Sequence, residues 1–154
     1  ISPARAIEEL ATAGAVSPMR MQRHERADGL VILNDAYNAN PESMAAALRT
    51  LAAIAPGRGV AVLGQMLELG EDSDRAHRQI GELAADLGLQ SVVAVGPGAV
   101  PIAQGAGQFG VSVADITAAI ELLRARLRAT DVVLVKASRG VRLERVATAL
   151  LTVE

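Results

Sequence analysis

The sequence predicts an α/β fold: a Rossmann-like, mostly parallel sheet with helices on both faces and an antiparallel hairpin at its start. Three observations carry this. Short runs rich in Val, Leu and Ile alternate with longer helix-like stretches, a βαβαβα order that builds parallel sheets. Those runs are apolar throughout rather than at every second residue, which suits strands covered on both faces. The first two runs are instead joined by Ala27-Asp28-Gly29, and Asp-Gly is a strong hairpin signal.

The elements follow in order. Ser2 can cap a helix with Pro3 in its first turn, running over residues 4–12, with Gly14 beyond its end. Residues 19–25 and 29–34 read as the hairpin strands. Asn40 is placed to cap a helix that starts at Pro41 and runs to about residue 55. Pro56-Gly57-Arg58 turns the chain into a strand over 59–63. Ser73 is expected to cap a helix from 74 to about 87, with Gly88 past its end. Residues 91–95 form a β-branched strand. Residues 96–107 are loop or short helix, and 111–113 a short strand. Asp115 caps a helix over 116–127, residues 131–135 are the next strand, and a last helix covers about 142–151. Val141, Val146, Leu150 and Leu151 give that helix an apolar side for docking on the sheet.

The bulk numbers suit one domain over residues 1–154. Hydrophobic residues are 51% of the chain and aromatics only 1%, so Ala, Val, Leu and Ile must fill the core. Few aromatics and a net charge of −2 argue against a nucleic-acid partner. The absence of cysteine excludes disulfides and cysteine-ligated zinc and fits a cytoplasmic protein. His24 and His77 lack metal-ligand spacing, so no metal site is expected. No apolar run approaches the roughly 20 residues of a membrane span, and the N-terminus lacks a signal-peptide pattern. The chain opens on Ile1 rather than Met, as a piece cut from a longer protein would.

The densest group of polar side chains is the run from Asn34 to Ser43, at the carboxyl end of a strand, where ligands bind in open α/β sheets. Asp35 suits two ribose hydroxyls, or else bonds its own turn backbone; the residues alone leave both readings open. Asn40 is best read as a cap, whereas Asn38 has no such duty. Tyr37, the only tyrosine, fits the interior or faces an adenine or substrate. Arg20, expected on the preceding strand, reads by itself as a solvated hairpin arginine. The loop from Gly64 to Gly70 leaves another strand end; Gly64 permits close backbone approach, and Glu68 is a contact or a solvated charge. His77 reads as a structural or surface residue. Lys136-Ala137-Ser138-Arg139-Gly140 puts cations and amides at a helix start, an arrangement that holds carboxylates and phosphates. Arg124, Arg126 and Arg128 spread around a helix as a solvated face. A phosphate loop and a nucleophile elbow are both missing. Gly96-Pro97-Gly98 has Pro101 where a dinucleotide fingerprint needs glycine, so a self-sufficient NAD site is rejected.

Three strings resemble the C-terminal domain of the ATP-dependent Mur ligases, which build the bacterial cell-wall precursor. They are Tyr37-Asn38-Ala39-Asn40-Pro41, Gly64-Gln65-Met66-Leu67-Glu68-Leu69-Gly70 and Val135-Lys136-Ala137-Ser138-Arg139-Gly140, in family order and spanning most of the chain. The form of the first is most similar to the branch that adds D-alanyl-D-alanine. Gln65 and Ala137 depart from it, standing where the family usually carries an acidic residue and a glycine. The resemblance implies that Arg20, Asp35, Asn38 and Tyr37 face the nucleotide. It also implies that Asn40, Lys136, Ser138 and Arg139 face the substrate, with Ser138 and Arg139 near the dipeptide's carboxylate. Further implications are ATP and Mg²⁺ held mainly by upstream domains of the same chain, UDP-MurNAc-tripeptide and D-alanyl-D-alanine as partners, a monomer, and no catalysis by this piece alone. Two alternatives stand beside it: another Mur ligase or a folylpolyglutamate synthetase, and a nonenzymatic α/β module that binds a nucleotide or protein.

Overall fold

The computed structural model describes residues 19–152. The helix expected over 4–12 lies outside them, as do Ser17 and Pro18. Six strands form one sheet: β1 (Gln22–Glu25), β2 (Val31–Asn34), β3 (Gly59–Leu63), β4 (Ser91–Val95), β5 (Gly110–Val113) and β6 (Val132–Lys136). Their spatial order is β1-β2-β6-β3-β4-β5, antiparallel at β1–β2 and parallel elsewhere. The last strand therefore inserts between β2 and β3, and the loops that follow β2, β6 and β3 emerge side by side.

Alternate strand residues feed two cores. Leu33, Ala61, Leu63, Val92 and Leu134 face α1 (Pro41–Ile54), α2 (Ser73–Asp86) and α3 (Val100–Ala106). Ile32, Val60, Val62, Val93 and Val135 face α4 (Ile116–Arg126) and α5 (Glu144–Leu151). Continuous apolar strands are what a sheet buried on both faces requires. The hairpin forms at Asp28-Gly29, where Gly29 takes φ 106. Arg26 clamps the turn through two hydrogen bonds to the Asp28 carboxylate, which hold that exposed carboxyl down at about 2.

Three boundaries differ from expectation. β1 begins at Gln22, not residue 19, because Met19 and Met21 adopt φ 64 and 45. That segment bends toward the loop after β2 instead of continuing the ladder: Met19 O accepts from Tyr37 N at 3.0 Å. Arg20 therefore lies in a bend before the strand. Ser73 does not cap α2; it is itself helical (φ −54, ψ −54), and a 3-10 turn, Gly70–Asp72, leads into it. The last helix starts at Glu144, since Arg142 is left-handed at φ 59 after a 3-10 turn, Arg139–Val141.

The cap of α1 is as expected and more complete. Asn40 Oδ1 accepts from Ser43 N at 2.8 Å, and Ser43 Oγ accepts from Asn40 N at 3.1 Å. Such reciprocal capping satisfies two otherwise orphaned donors. Asn40→Ala is expected to lower stability by about 1 kcal/mol, read as a lower urea midpoint with unchanged slope.

Candidate functional site: a crevice at the ends of β2 and β6

Asp35 is the first residue past β2, and its N donates to Val135 O at 2.8 Å, extending the ladder with β6 by one step. Its carboxylate is held from two sides. Oδ1 accepts from Met21 N at 3.1 Å, and Oδ2 accepts from Lys136 Nζ at 2.8 Å. Lys136 closes β6, is 3% exposed, and also donates to Asn38 O at 3.0 Å. An ammonium has three donors, so two are committed within the chain. The pair sits in a crevice of about 540 Å³, lined by Arg20, Asp35, Tyr37, Asn38, Asn40 and Lys136, with Ala46, Ala47 and Thr50 of α1 along one side.

Tyr37 is half-buried and engaged by two cations. The Arg20 guanidinium carbon lies 4.1 Å from the ring centroid, and that of Arg139 lies 4.9 Å away. Both arginines are exposed, and neither has an ion-pair partner among the described residues. Asn38 is exposed, with its side-chain amide unbonded to any described residue. Asn40 lines the crevice while its Oδ1 serves the cap.

Ser138 is buried, and its polar atoms tie three loops together. Its hydroxyl accepts from Leu67 N at 2.9 Å and donates to Ala39 O at 3.4 Å, while its N donates to Gln65 O at 3.1 Å. Direct substrate contact, expected of Lys136 and Ser138, is not what their bonding favours, because most of their donors and acceptors already serve the protein. Arg139 stands apart from them, exposed on Tyr37.

The loop after β3 is pinned from beneath by His77, which is fully buried. Its Nε2 accepts from Met66 N at 2.8 Å, and its Nδ1 lies 2.6 Å from Ser73 O. These partners dictate a neutral ring with the proton on Nδ1. Gln65 lies against Gly98, where any Cβ would strike its amide. Ala137 fits because Gly64 faces it: a Cβ on Gly64 would come 2.7 Å from the Ala137 methyl. Glu68 stands exposed at φ 64, and Arg124, Arg126 and Arg128 are exposed as expected.

Sequence reasoning missed three things: the Met21 amide on Asp35, the loop-tying role of Ser138, and the meeting of Arg20 with Arg139. Only the first had any local signal, since Met21 adjoins an arginine already singled out.

The family model described as Mur ligase, glutamate ligase domain, matches residues 19–139. The chain belongs to this family. It is similar to the UDP-N-acetylmuramoyl-tripeptide–D-alanyl-D-alanine ligase of Mycobacterium leprae (strain TN), with 47% identity over 163 residues, covering 92% of this chain and 32% of that protein. The Escherichia coli (strain K12) ligase of the same name is 40% identical over 135 residues, covering 86% of this chain and 29% of that protein. Among solved structures, the MurF ligase from Thermotoga maritima in complex with ADP superposes with a TM-score of 0.76 at 34% identity, covering 87% of this chain and 30% of that one. A MurF from Acinetobacter baumannii gives 0.80 at 29% identity, covering 88% and 30%. The chain thus spans about a third of the length of the curated Mur ligases it matches. The Mur ligase fold accounts for the mostly parallel sheet and the opening hairpin. The three strings that resembled the family lie on the three loops that Ser138 ties together, and residues of the first and third line the crevice.

Proposed function

We propose that this chain is the C-terminal domain of an ATP-dependent ligase that joins D-alanyl-D-alanine to UDP-MurNAc-tripeptide, a step in making the peptidoglycan precursor. The observation that carries the reading is that Ser138 ties the three motif loops together beside the crevice that holds Asp35 and Lys136, in a chain 47% identical to a ligase of that name. In the reaction, the γ-phosphoryl group of ATP passes to the terminal carboxylate of the tripeptide, giving an acyl phosphate and ADP. The dipeptide amine then attacks the acyl carbon, the amide bond forms, and phosphate leaves.

Most of that machinery belongs to upstream domains of the full-length protein, which acts as a monomer in the cytoplasm. This domain closes over the nucleotide. Asp35 keeps lone pairs for ribose hydroxyls while Lys136 and the Met21 amide hold it in place. Arg20 and Asn38 face the nucleotide, and Asn40 borders the same crevice. Arg139 takes the dipeptide carboxylate; Ser138 acts by fixing the loop that carries Arg139. Closure excludes water, which would hydrolyse an acyl phosphate. The reading leaves Mg²⁺ to the upstream domains, as the family resemblance implies. Bound there, it would neutralise charge on the transferring phosphoryl group.

The test is phosphate release by the full-length protein with ATP, Mg²⁺ and UDP-MurNAc-tripeptide, with and without D-alanyl-D-alanine. Release is expected only with the dipeptide. Asp35→Asn, which keeps the side-chain shape, is expected to raise KM for ATP about tenfold, the loss of roughly one charge-assisted hydrogen bond. Release that needs a different amino acid keeps the family and discards the named acceptor. Release with no acceptor dependence at all discards the reading.

A further inference from the structure

Two guanidiniums normally separate, since like charges repel and each is better hydrated alone, and neither Arg20 nor Arg139 has an acidic partner among the described residues. Here they converge on one aromatic ring. Arg20 comes from the bend before β1, and Arg139 from the turn after β6, so no local sequence constraint brings them together. The ring face carries negative charge density that holds both cations. The Tyr37 backbone is tied to the bend that carries Arg20, since its N donates to Met19 O.

We infer that Tyr37 is a positioning residue that couples the nucleotide subsite to the acceptor-carboxylate subsite by holding Arg20 and Arg139 on one ring. This rests on the ligase reading above. Its ring is then occupied by the chain's own cations and does not stack on adenine. An anion drawn to either arginine acts against a side chain already oriented by the ring, so the two subsites gain affinity from a single support. Losing the ring releases both arginines at once, and both substrates bind less well while the chemical step is spared.

The experiment measures kcat and both KM values in the full-length protein for the wild type, Tyr37→Leu and Tyr37→Phe. The Leu variant is expected to raise KM for ATP and for D-alanyl-D-alanine by about threefold to tenfold each, the range of partly exposed cation–π contacts, with kcat changed less than twofold. Phe, which keeps the ring and loses only the hydroxyl, is expected to restore most of both losses. A shift in one KM alone, a change confined to kcat, or a Phe variant as impaired as Leu overturns the inference. If the Leu variant does not fold, Arg20→Gln, Arg139→Gln and the double variant decide instead. Both sites are exposed, so these variants retain the fold. Non-additive effects of threefold or more on KM are expected, and simple additivity overturns the coupling. Loss of dipeptide dependence in the wild type itself is a separate outcome: it removes the ligase reading and this inference with it.

Discussion

Lys136→Met is expected to destabilise the 154-residue chain by about 3–5 kcal/mol, the range for removing one partner of a buried ion pair. The methionine fills the space of the aliphatic stem, so the change tests the ammonium and not the packing. Lys136 Nζ reaches Asp35 Oδ2 at 2.8 Å and Asn38 O at 3.0 Å, and the two side chains are 4% and 13% exposed. Without the cation, the Asp35 carboxylate keeps only the Met21 amide among the described residues. A carboxylate in that position loses water and regains little. The loss is not the net worth of the pair, because much of it is the stranded charge. The double variant Asp35→Asn, Lys136→Met is therefore expected to recover at least half of it. Urea unfolding of the wild type, Lys136→Met, Asp35→Asn and the double variant measures this; a Lys136→Met midpoint equal to wild type would show the pair to be ornamental.

Gly81→Ala is expected to destabilise by about 2–3 kcal/mol, an overpacking cost, although alanine in an isolated helix is favoured over glycine by about 1 kcal/mol. The reversal comes from α2 crossing α3 at backbone contact. A Cβ on Gly81 would strike the Ile102 carbonyl oxygen and stand 2.7 Å from Ala106 N. Gly105 meets the Arg78 carbonyl in the same way from the other side. Backbone atoms cannot rotate aside as a flexible side-chain end does, so the helices must separate. Separation opens gaps beside Ile80, Ala84 and Ile102, which are all buried in one core. Gly81→Val extends the collision and is expected to yield little folded protein. Gln79→Ala, exposed on the same helix, is expected to stay within about 0.5 kcal/mol of wild type. Thermal unfolding of the set gives the order, and a neutral Gly81→Ala would mean the crossing has slack.

Most of the fold was legible because its signals are local. Asn40-Pro41, Asp115 and Asp28-Gly29 each act within a few residues, as two caps and a turn, and each does so in the structure. The apolar runs of β3 and β4 marked their strands to the residue. Failures came where a distant partner outweighs local preference. Residues 19–21 have strand character, yet their backbone bends to meet Tyr37 and Asp35. Ser73 has the chemistry of a cap, but the turn before it already runs helically. The candidate residues were found from their types and their place after strands. What each one bonds to was not legible.

The sequence by itself determined the class of fold, the order of its elements, the polar loops at the strand ends and the family to which those loops belong. Tertiary structure alone decided that Lys136 and Ser138 turn inward, that Arg20 and Arg139 share Tyr37, and that Gly81 lies against a neighbouring backbone. The reason is the insertion of β6 between β2 and β3. It places residue 136 beside residue 35 and residue 139 beside residue 37, and no short stretch of chain carries the information for a pairing made across a hundred residues.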